Sequence, residues 1–416
     1  MTQETPLPVD ALPPYPPLLG LAPLMRMALS GADLTPLKTE LIARATAHAD
    51  DANAMLDLST VLQLMMQHDL AMDVQAQALQ MQQLYHLPSS CEVSGLRILV
   101  IVGPGDLMAN APLDCLLESS DVDVDILYIN LGLVTSPARI PEHDLLFCAI
   151  NQSEYNDPLL QHMENILAEW PRPVVNAPAA IRRMSRDGAW AWLKSLPGLI
   201  MPQTVRIERA VLEQLARGET ALNCLLEGAD FPIILRPVDS HAGHSLVKCE
   251  SSVNIITYLK TQTGEMFYLA PFVDYRSADG QYRKYRIMLI DGRPYACHLA
   301  ISDDWMIHYL NAGMDNSAQK RAEEASFMAD FDEGFARRHA ETFQALADQV
   351  GLAYFGIDCA ETPDGKLLAF EVDVGMVVHD MDPIDLYPYK KPQMQKVFTA
   401  FRQMLERHAA RDHGSS

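Results

Sequence analysis

Three carboxylates in the last quarter of the chain have a spacing that suits metal and phosphate chemistry. Gly356-Ile357-Asp358 and Phe370-Glu371-Val372-Asp373 flank the short polar stretch Pro363-Asp364-Gly365-Lys366. Asp-Gly is a strong two-residue hairpin turn. With Asp364 and Gly365 as the loop, Pro363 faces Lys366, Glu361 faces Leu368, and Asp358 falls opposite Glu371. Asp373 lies two residues beyond Glu371 and therefore points to the same face. Opposed side chains in an antiparallel pair have Cβ atoms about 5 Å apart, and like charges there repel. A cation lodged among them relieves that repulsion. All-oxygen ligation with few protein donors suits Mg²⁺, which keeps its other positions for water and substrate phosphates. Solvated acids at strand ends are the alternative. Against it, Tyr354, Phe355, Ile357, Leu367, Leu368, Phe370 and Val372 make both strands mostly apolar. That predicts a buried sheet, where an unpaired carboxylate is costly.

The elements that must hold this hairpin belong to a chain of 416 residues, enough for roughly two to four domains of about 150 residues. With 49% hydrophobic residues it can fill packed cores. A formal net charge of −22 argues against nucleic acid as a main partner, because that partner needs a positive surface. It leaves room for an anionic ligand held by a local basic cluster. Seven cysteines (91, 115, 148, 224, 249, 297 and 359) show no C-x-x-C spacing. Reduced thiols in a cytosolic protein are the expectation. No signal-like N-terminus and no long apolar run is present, so no membrane association is expected and the expected compartment is the cytoplasm.

Residues 1 to about 22 are Pro-rich and expected to be extended. From Leu24 to Leu87 the spacing predicts helices. One is capped by Asp50 or Asp51 and carries Met55 to Met65; a second carries Ala71 to Leu79 and ends near Tyr85-His86-Leu87. Their pairing faintly resembles a tetratricopeptide-type hairpin, without a clean repeat. The methionines here read as core filler, with a partner groove as the alternative. At Leu96 the texture changes to alternating strands and helices, as in a parallel α/β layer: Leu96 to Val102, Val124 to Ile129 and Asp144 to Ile150. Gly103 and Gly105 alone read as a tight turn after the first strand, not a dinucleotide fingerprint. A smaller unit follows, with the strand Phe231 to Pro237 and the loop Val238 to Ser245. The last part holds the strand Met266 to Val273, a hairpin turning at Asp291-Gly292, a mobile-looking stretch around Asn311 to Lys320, a helix from about Asp332 to Val350, and the acidic hairpin.

This order of parts resembles the ATP-grasp superfamily, in the branch of D-alanine–D-alanine ligase, glutathione synthetase and the ribosomal-protein glutamate ligases. The resemblance covers roughly residues 96 to 405. It implies an α/β (α+β) fold: a Pro-rich arm and helical region over 1–92, a Rossmann-like α/β domain over 96–180, a small ATP-covering lid over 181–260, and a C-terminal ATP-grasp subdomain over 261–410. It implies ATP and Mg²⁺ as cofactors, with two Mg²⁺ ions as in relatives (Mn²⁺ being an alternative), and Asp358, Glu371 and Asp373 as metal ligands; Asp373 stands where relatives usually have Asn. Arg236 stands where relatives have a nucleotide-binding Lys, and Arg186 near the position of a second. Ser240, His241 and Gly243 resemble the loop that closes over the phosphates. Gly243 would permit close backbone approach to phosphate. Phe272 and Val273 fall where relatives clamp adenine, with Pro271 in place of the usual Glu, and Asp274 is implied as a ribose ligand. Arg286 matches an arginine that touches the transferred phosphoryl group. It lies in the basic run Arg283-Lys284-Tyr285-Arg286, whose alternation puts Lys284 and Arg286 on one face and leaves Arg283 as a solvated edge. His308 and Asn311 fall where relatives hold metal or phosphate, and His379 and Asp380 where relatives bind the acceptor.

The resemblance implies ATP-dependent joining of a carboxylate to an amine through an acylphosphate, with Arg236 and Arg286 neutralising charge. The amine could belong to an amino acid, a peptide or a protein recruited by the helical region, which could instead mediate homodimerisation. Two alternatives remain: a non-catalytic nucleotide-binding or interaction scaffold on the same fold, and a kinase-like enzyme that stops at phosphoryl transfer.

Overall fold

The computed structural model describes residues 15–131, 140–240 and 243–410. His241 and most of the Pro-rich arm lie outside these residues. The protein is α/β, built on three sheets. The first has five strands in the spatial order Leu84–Leu87, Val122–Tyr128, Leu96–Val102, Leu145–Cys148, Val174–Val175. All neighbours are parallel except the first pair. Every residue of Leu96–Val102 except Arg97 is buried, as expected of a strand covered on both faces.

The second sheet is antiparallel, in the order Val205–Glu208, Met266–Pro271, Ile233–Pro237, Val247–Cys249. The third has the order Arg293–Ser302, Tyr282–Ile290, Tyr354–Glu361, Leu367–Asp373, Leu199–Ile200. Met266–Pro271, read in the sequence with the C-terminal part, is thus a central strand of the smaller sheet. Leu199–Ile200, read with the lid, closes the edge of the larger one. The chain crosses between these two sheets twice, between Ile200 and Val205 and between Pro271 and Tyr282, and a cleft lies between their facing surfaces.

The acidic hairpin reaches its register by an unforeseen route. Its loop is closed by Thr362, whose N–H donates to Lys366 O at 2.9 Å and whose carbonyl accepts from Gly365 N at 2.8 Å. Glu361 therefore pairs with Leu367, not Leu368, and a bulge between Asp358 and Cys359 restores Asp358 opposite Glu371. The turn spends one residue more than a two-residue loop, and the bulge takes it back. Gly365, at φ +79°, supplies the left-handed conformation the turn needs. Gly356, opposite Asp373, has no room for a side chain: a Cβ there would come within 2.6 Å of the sulfurs of Met288 and Met376.

The first and third sheets share one core. Phe147, Tyr354 and Phe401 meet between them, with ring centroids 5.0 to 6.3 Å apart. Asn176 ties the same place through its side chain, donating to Tyr354 O at 2.7 Å and accepting from Tyr354 N at 3.1 Å. The stretch expected to be mobile holds a short 3-10 turn, Tyr309–Asn311, and leads into the helix Ala318–Ala329. Lys320 fastens it by donating to Ala312 O at 2.8 Å.

Ahead of the sheets lie the helices Leu21–Leu29, Thr35–Ala47, Ala52–Leu64 and His68–Met81. Asp51 caps the third by accepting from Ala54 N at 2.9 Å. The fourth stops at Met81. Tyr85-His86-Leu87, expected at a helix end, belongs to the edge strand Leu84–Leu87, because Tyr85 is fully buried there against Tyr128. The tetratricopeptide likeness has no support beyond helix pairing. Among the described residues no helix is long and apolar enough to cross a membrane, and all seven cysteines are free thiols.

Asp57, on the third helix, is 1% exposed and accepts from Leu19 N and Gly20 N at 2.9 and 3.1 Å. Burial nevertheless pushes its carboxyl up to about 7, the two N–H donors offsetting only part of the shift. A folded-state pKa above the unfolded one means stability is fully present below about pH 4 and lost as pH rises toward 7. Asp57→Asn removes that titration. The stability difference between wild type and variant, from urea unfolding, should therefore change by up to about 4 kcal/mol between pH 4 and 7 in the variant's favour. A pH-independent difference would contradict the assignment.

Candidate functional site

The cleft between the second and third sheets holds a cavity of about 670 Å³. Among the described residues five cations line it, and four of them stand together at one end. Arg186 begins the helix Arg186–Leu193, which Ser185 caps through its side chain. Arg236 ends the central strand of the small sheet. Lys284 and Arg286 project from one face of Tyr282–Ile290. Three carboxylates face them: Asp358, Glu371 and Asp373.

The cations, not the acids, settle the local electrostatics. Asp358 is 1% exposed. Arg286 stands opposite it in register and grips it with two N–H donors at 2.8 and 3.0 Å; Lys284 adds an ion pair at 2.6 Å. Burial alone would raise the Asp358 carboxyl, but these two charges outweigh it and hold it far below the usual range. Glu371 pairs with Arg186 at 2.6 Å, and that charge overrides burial to lower its pKa. Among the described residues Asp373 accepts only from Gly375 N at 3.0 Å and the amide of Asn151 at 3.4 Å. Burial, then the Glu371 charge, pushes it up to about 6.

The three expected metal ligands therefore stand in unequal surroundings. The carboxylates are close, as the spacing requires, but both oxygens of Asp358 are committed to Arg286 and Lys284. Among the described residues no group of three His, Cys, Asp or Glu side chains is gathered to hold a metal. Glu371 and Asp373 remain: two carboxylates that disfavour each other and face a cavity. That donor set fits a hard cation that takes one or two protein carboxylates and completes its shell with water and phosphate.

Arg236 is different in kind. It is 7% exposed, and its guanidinium bonds the side-chain and backbone oxygens of Ser240, both neutral. Among the described residues no carboxylate lies within ion-pair distance of it. Burial, followed by the neighbouring Arg186 charge, pushes its pKa down to about 9. A buried guanidinium with no carboxylate in contact, only the more distant Glu371 charge, and a second arginine beside it favours an anion.

The other expected residues divide. Gly243, Phe272, Val273, His308, Asn311 and His379 line the cavity. Burial pulls both histidines below their ordinary value. His308 and Asn311 also cap the Tyr309–Asn311 turn. Ser240 reaches the cavity only through Arg236. Asp274, expected on a ribose, lies off the lining and is taken by Arg276 at 2.5 Å. Asp380, expected on an acceptor, is also off the lining and pairs with Arg26 of the first helix at 2.8 Å. Arg283 is not a solvated edge: it pairs with Asp279 at 2.7 Å and Glu323 at 2.5 Å.

Several lining residues escaped the sequence reading. Lys390, 4% exposed, starts the helix Lys390–Ala410 and meets Tyr309 OH at 2.5 Å, Asp382 at 3.3 Å and Glu324 at 3.7 Å. Its only sequence signal is a lysine after two tyrosines in Tyr387-Pro388-Tyr389-Lys390. Met25 and Leu29 reach the cavity from the first helix, which no local pattern announces.

No protein-family model and no curated protein matches the chain. Solved structures resemble it at low identity. A D-alanine–D-alanine ligase from Bacillus anthracis is 14% identical, covering 77% of this chain and 100% of its own, with a TM-score of 0.44. The VanG D-Ala:D-Ser ligase from Enterococcus faecalis is 15% identical over 76% of this chain and 98% of its own, with a TM-score of 0.45. A RimK domain ATP-grasp protein from Sphaerobacter thermophilus is 14% identical over 76% and 99%, with a TM-score of 0.38. At such identities and scores these likenesses carry no weight for function.

Asp358→Asn should leave Arg286 and Lys284 buried without their charge partner and cost about 3–5 kcal/mol of stability. Asp373→Asn should do the reverse. The Asp373 carboxyl titrates above its unfolded value, so its stabilising contribution is present below about pH 4 and lost as pH rises through about 6. In EDTA at pH 8 the Asn variant should match or exceed the wild type. Urea unfolding of both variants checks this; an unaffected Asp358→Asn protein would contradict the pairing.

Proposed function

We propose that the protein is an ATP-dependent ligase that joins a carboxylate to an amine. The observation that carries the proposal is Arg236: buried, facing the cavity, bonded among the described residues only to Ser240, and next to Arg186. A triphosphate is an anion of the right charge and reach for that pair, and guanidinium forks suit phosphate oxygens. Apolar side chains of the same cavity (Met201, Ile234, Leu246, Phe272) offer a slot for a flat base beside the backbone of Phe272 and Val273. The sequence resemblance to the ATP-grasp superfamily points the same way.

Glu371 and Asp373 would hold Mg²⁺, which when bound supplies charge neutralisation for the β- and γ-phosphates. The chain's own residues orient the reaction. A substrate carboxylate oxygen attacks the γ-phosphorus, ADP leaves, and an acylphosphate forms. An amine nitrogen then attacks the acyl carbon, loses a proton, and expels inorganic phosphate. Arg236 and Arg186 neutralise the phosphates as charge shifts to ADP. Arg286 is held by Asp358 at the opposite wall, so its guanidinium is fixed before substrate arrives. The small sheet above and the large sheet below keep water from the acylphosphate.

ADP release from Mg·ATP, with pools of carboxylates and amines, tests the proposal. Glu371→Gln should lower the rate by at least about a hundredfold while the protein keeps its far-UV spectrum and unfolding midpoint to within a few degrees. Turnover that persists in Glu371→Gln would misplace the site. A phosphorylated carboxylate as the final product, with no amide at any amine concentration, would favour the kinase-like alternative.

A further inference from the structure

The cavity continues past the phosphate-sized cluster to a second end, which differs in chemistry. Its walls are Met25 and Leu29 from the first helix, Leu310, Met381 and Leu386 from loops, and Met394 from the last helix. Leu29 and Leu310 are 46% and 82% exposed, so their apolar surface is open to a ligand in the cavity.

The first helix is fixed there by its own chemistry. Met25 and Leu29 are four residues apart and share a face. Between them Arg26 turns toward Asp380, at 2.8 Å, and Glu118. Ala22 N donates to the half-buried Asp114 at 2.9 Å. The helix is thus docked on the loop that carries His379, Met381 and Asp382, rather than extended away from the cleft.

Charge at this end has the opposite sign to the phosphate end. Lys390 stands against Asp382 and Glu324, with Asp315 nearby accepting from Tyr387 OH. Arg321 spends its guanidinium on the carbonyl oxygens of Met314 and Asp315, at 2.8 and 2.7 Å. Tyr309, Tyr389 and Leu299 N satisfy Glu324 at 2.9, 2.6 and 3.0 Å. Asp382 and Asp315 keep acceptor capacity toward the cavity.

We infer that this end binds the amine substrate, that the amine carries an apolar side chain, and that the first helix selects it. The inference rests on the ligase reading for the word substrate, but not for the binding. An ammonium group sits on Asp382 and Asp315 beside His379; the apolar side chain lies against Met25, Leu29 and Met394. Methionines that can repack suit a range of aliphatic side chains rather than one. Residues 21–29 are then specificity residues of the cleft and not a separate recruiting arm.

The test is calorimetric titration of the full chain, without nucleotide, with leucinamide of either hand, glycinamide and N-acetyl-leucinamide. One enantiomer of leucinamide should bind at least about tenfold tighter than glycinamide, which lacks the side chain, and than the acetylated compound, which lacks the charge. Leu29→Ser, at a position 46% exposed, should bring leucinamide to within about threefold of glycinamide. No heat from leucinamide at millimolar concentration, equal affinities for leucinamide and glycinamide, or an unchanged Leu29→Ser protein would each overturn the inference. Leucinamide binding in a protein that ignores Mg·ATP would sink the ligase reading alone. Mg·ATP binding with no preference for leucinamide would sink this inference alone.

Discussion

Buried positive charge is the constraint on which the cleft depends. Arg186, Arg236, Lys284 and Arg286 face Asp358, Glu371 and Asp373 across it. Three of the four cations have carboxylate partners. The fourth, Arg236, is held by Ser240, and a single uncompensated guanidinium in that position costs stability. The fold bears the cost because the strand Ile233–Pro237 is clamped between two antiparallel neighbours, and because an anionic ligand would remove it. Stability given up at one residue becomes binding energy at the site.

The sheets convert that charge into geometry. The large sheet carries Lys284, Arg286 and the carboxylates on adjacent strands in fixed register; the small sheet carries Arg236 above them. The chain joins the two sheets twice, between Ile200 and Val205 and between Pro271 and Tyr282. The far end is set by other elements: the first helix, the loop 375–387 and the start of the last helix. One cavity therefore has a cationic end and an end lined by apolar side chains together with Asp315, Asp382 and Lys390.

Much of this was legible in the sequence where spacing alone carries information. Period-2 alternation put Lys284 and Arg286 on one face, and the hairpin arithmetic put Asp358 opposite Glu371. The arithmetic reached the right pair through the wrong loop, because a turn closed by Thr362 and a bulge at Asp358 cancel. What spacing cannot convey is which charge meets which. The Asp358 carboxylate looked like a metal ligand because its partner Arg286 is 72 residues away. Asp380 and Asp274 looked free for ligands, yet Arg26 and Arg276 hold them. Tyr85 read as the end of a helix because its strand partner, Ile126, lies 41 residues on. The wall formed by Met25 and Leu29 was invisible for the same reason: it exists only once the first helix is docked on the loop after the acidic hairpin.

Replacing Arg236 with methionine, which has similar reach and no charge, tests the central claim most directly. Titration of a non-hydrolysable ATP mimic with Mg²⁺ into wild type and Arg236→Met, alongside urea unfolding of both without ligand, reads the two sides of the same interaction. The account predicts that the variant is at least as stable as the wild type when empty and binds the nucleotide at least about tenfold more weakly. Equal affinity in the two proteins, or a variant that is clearly less stable when empty, would contradict it.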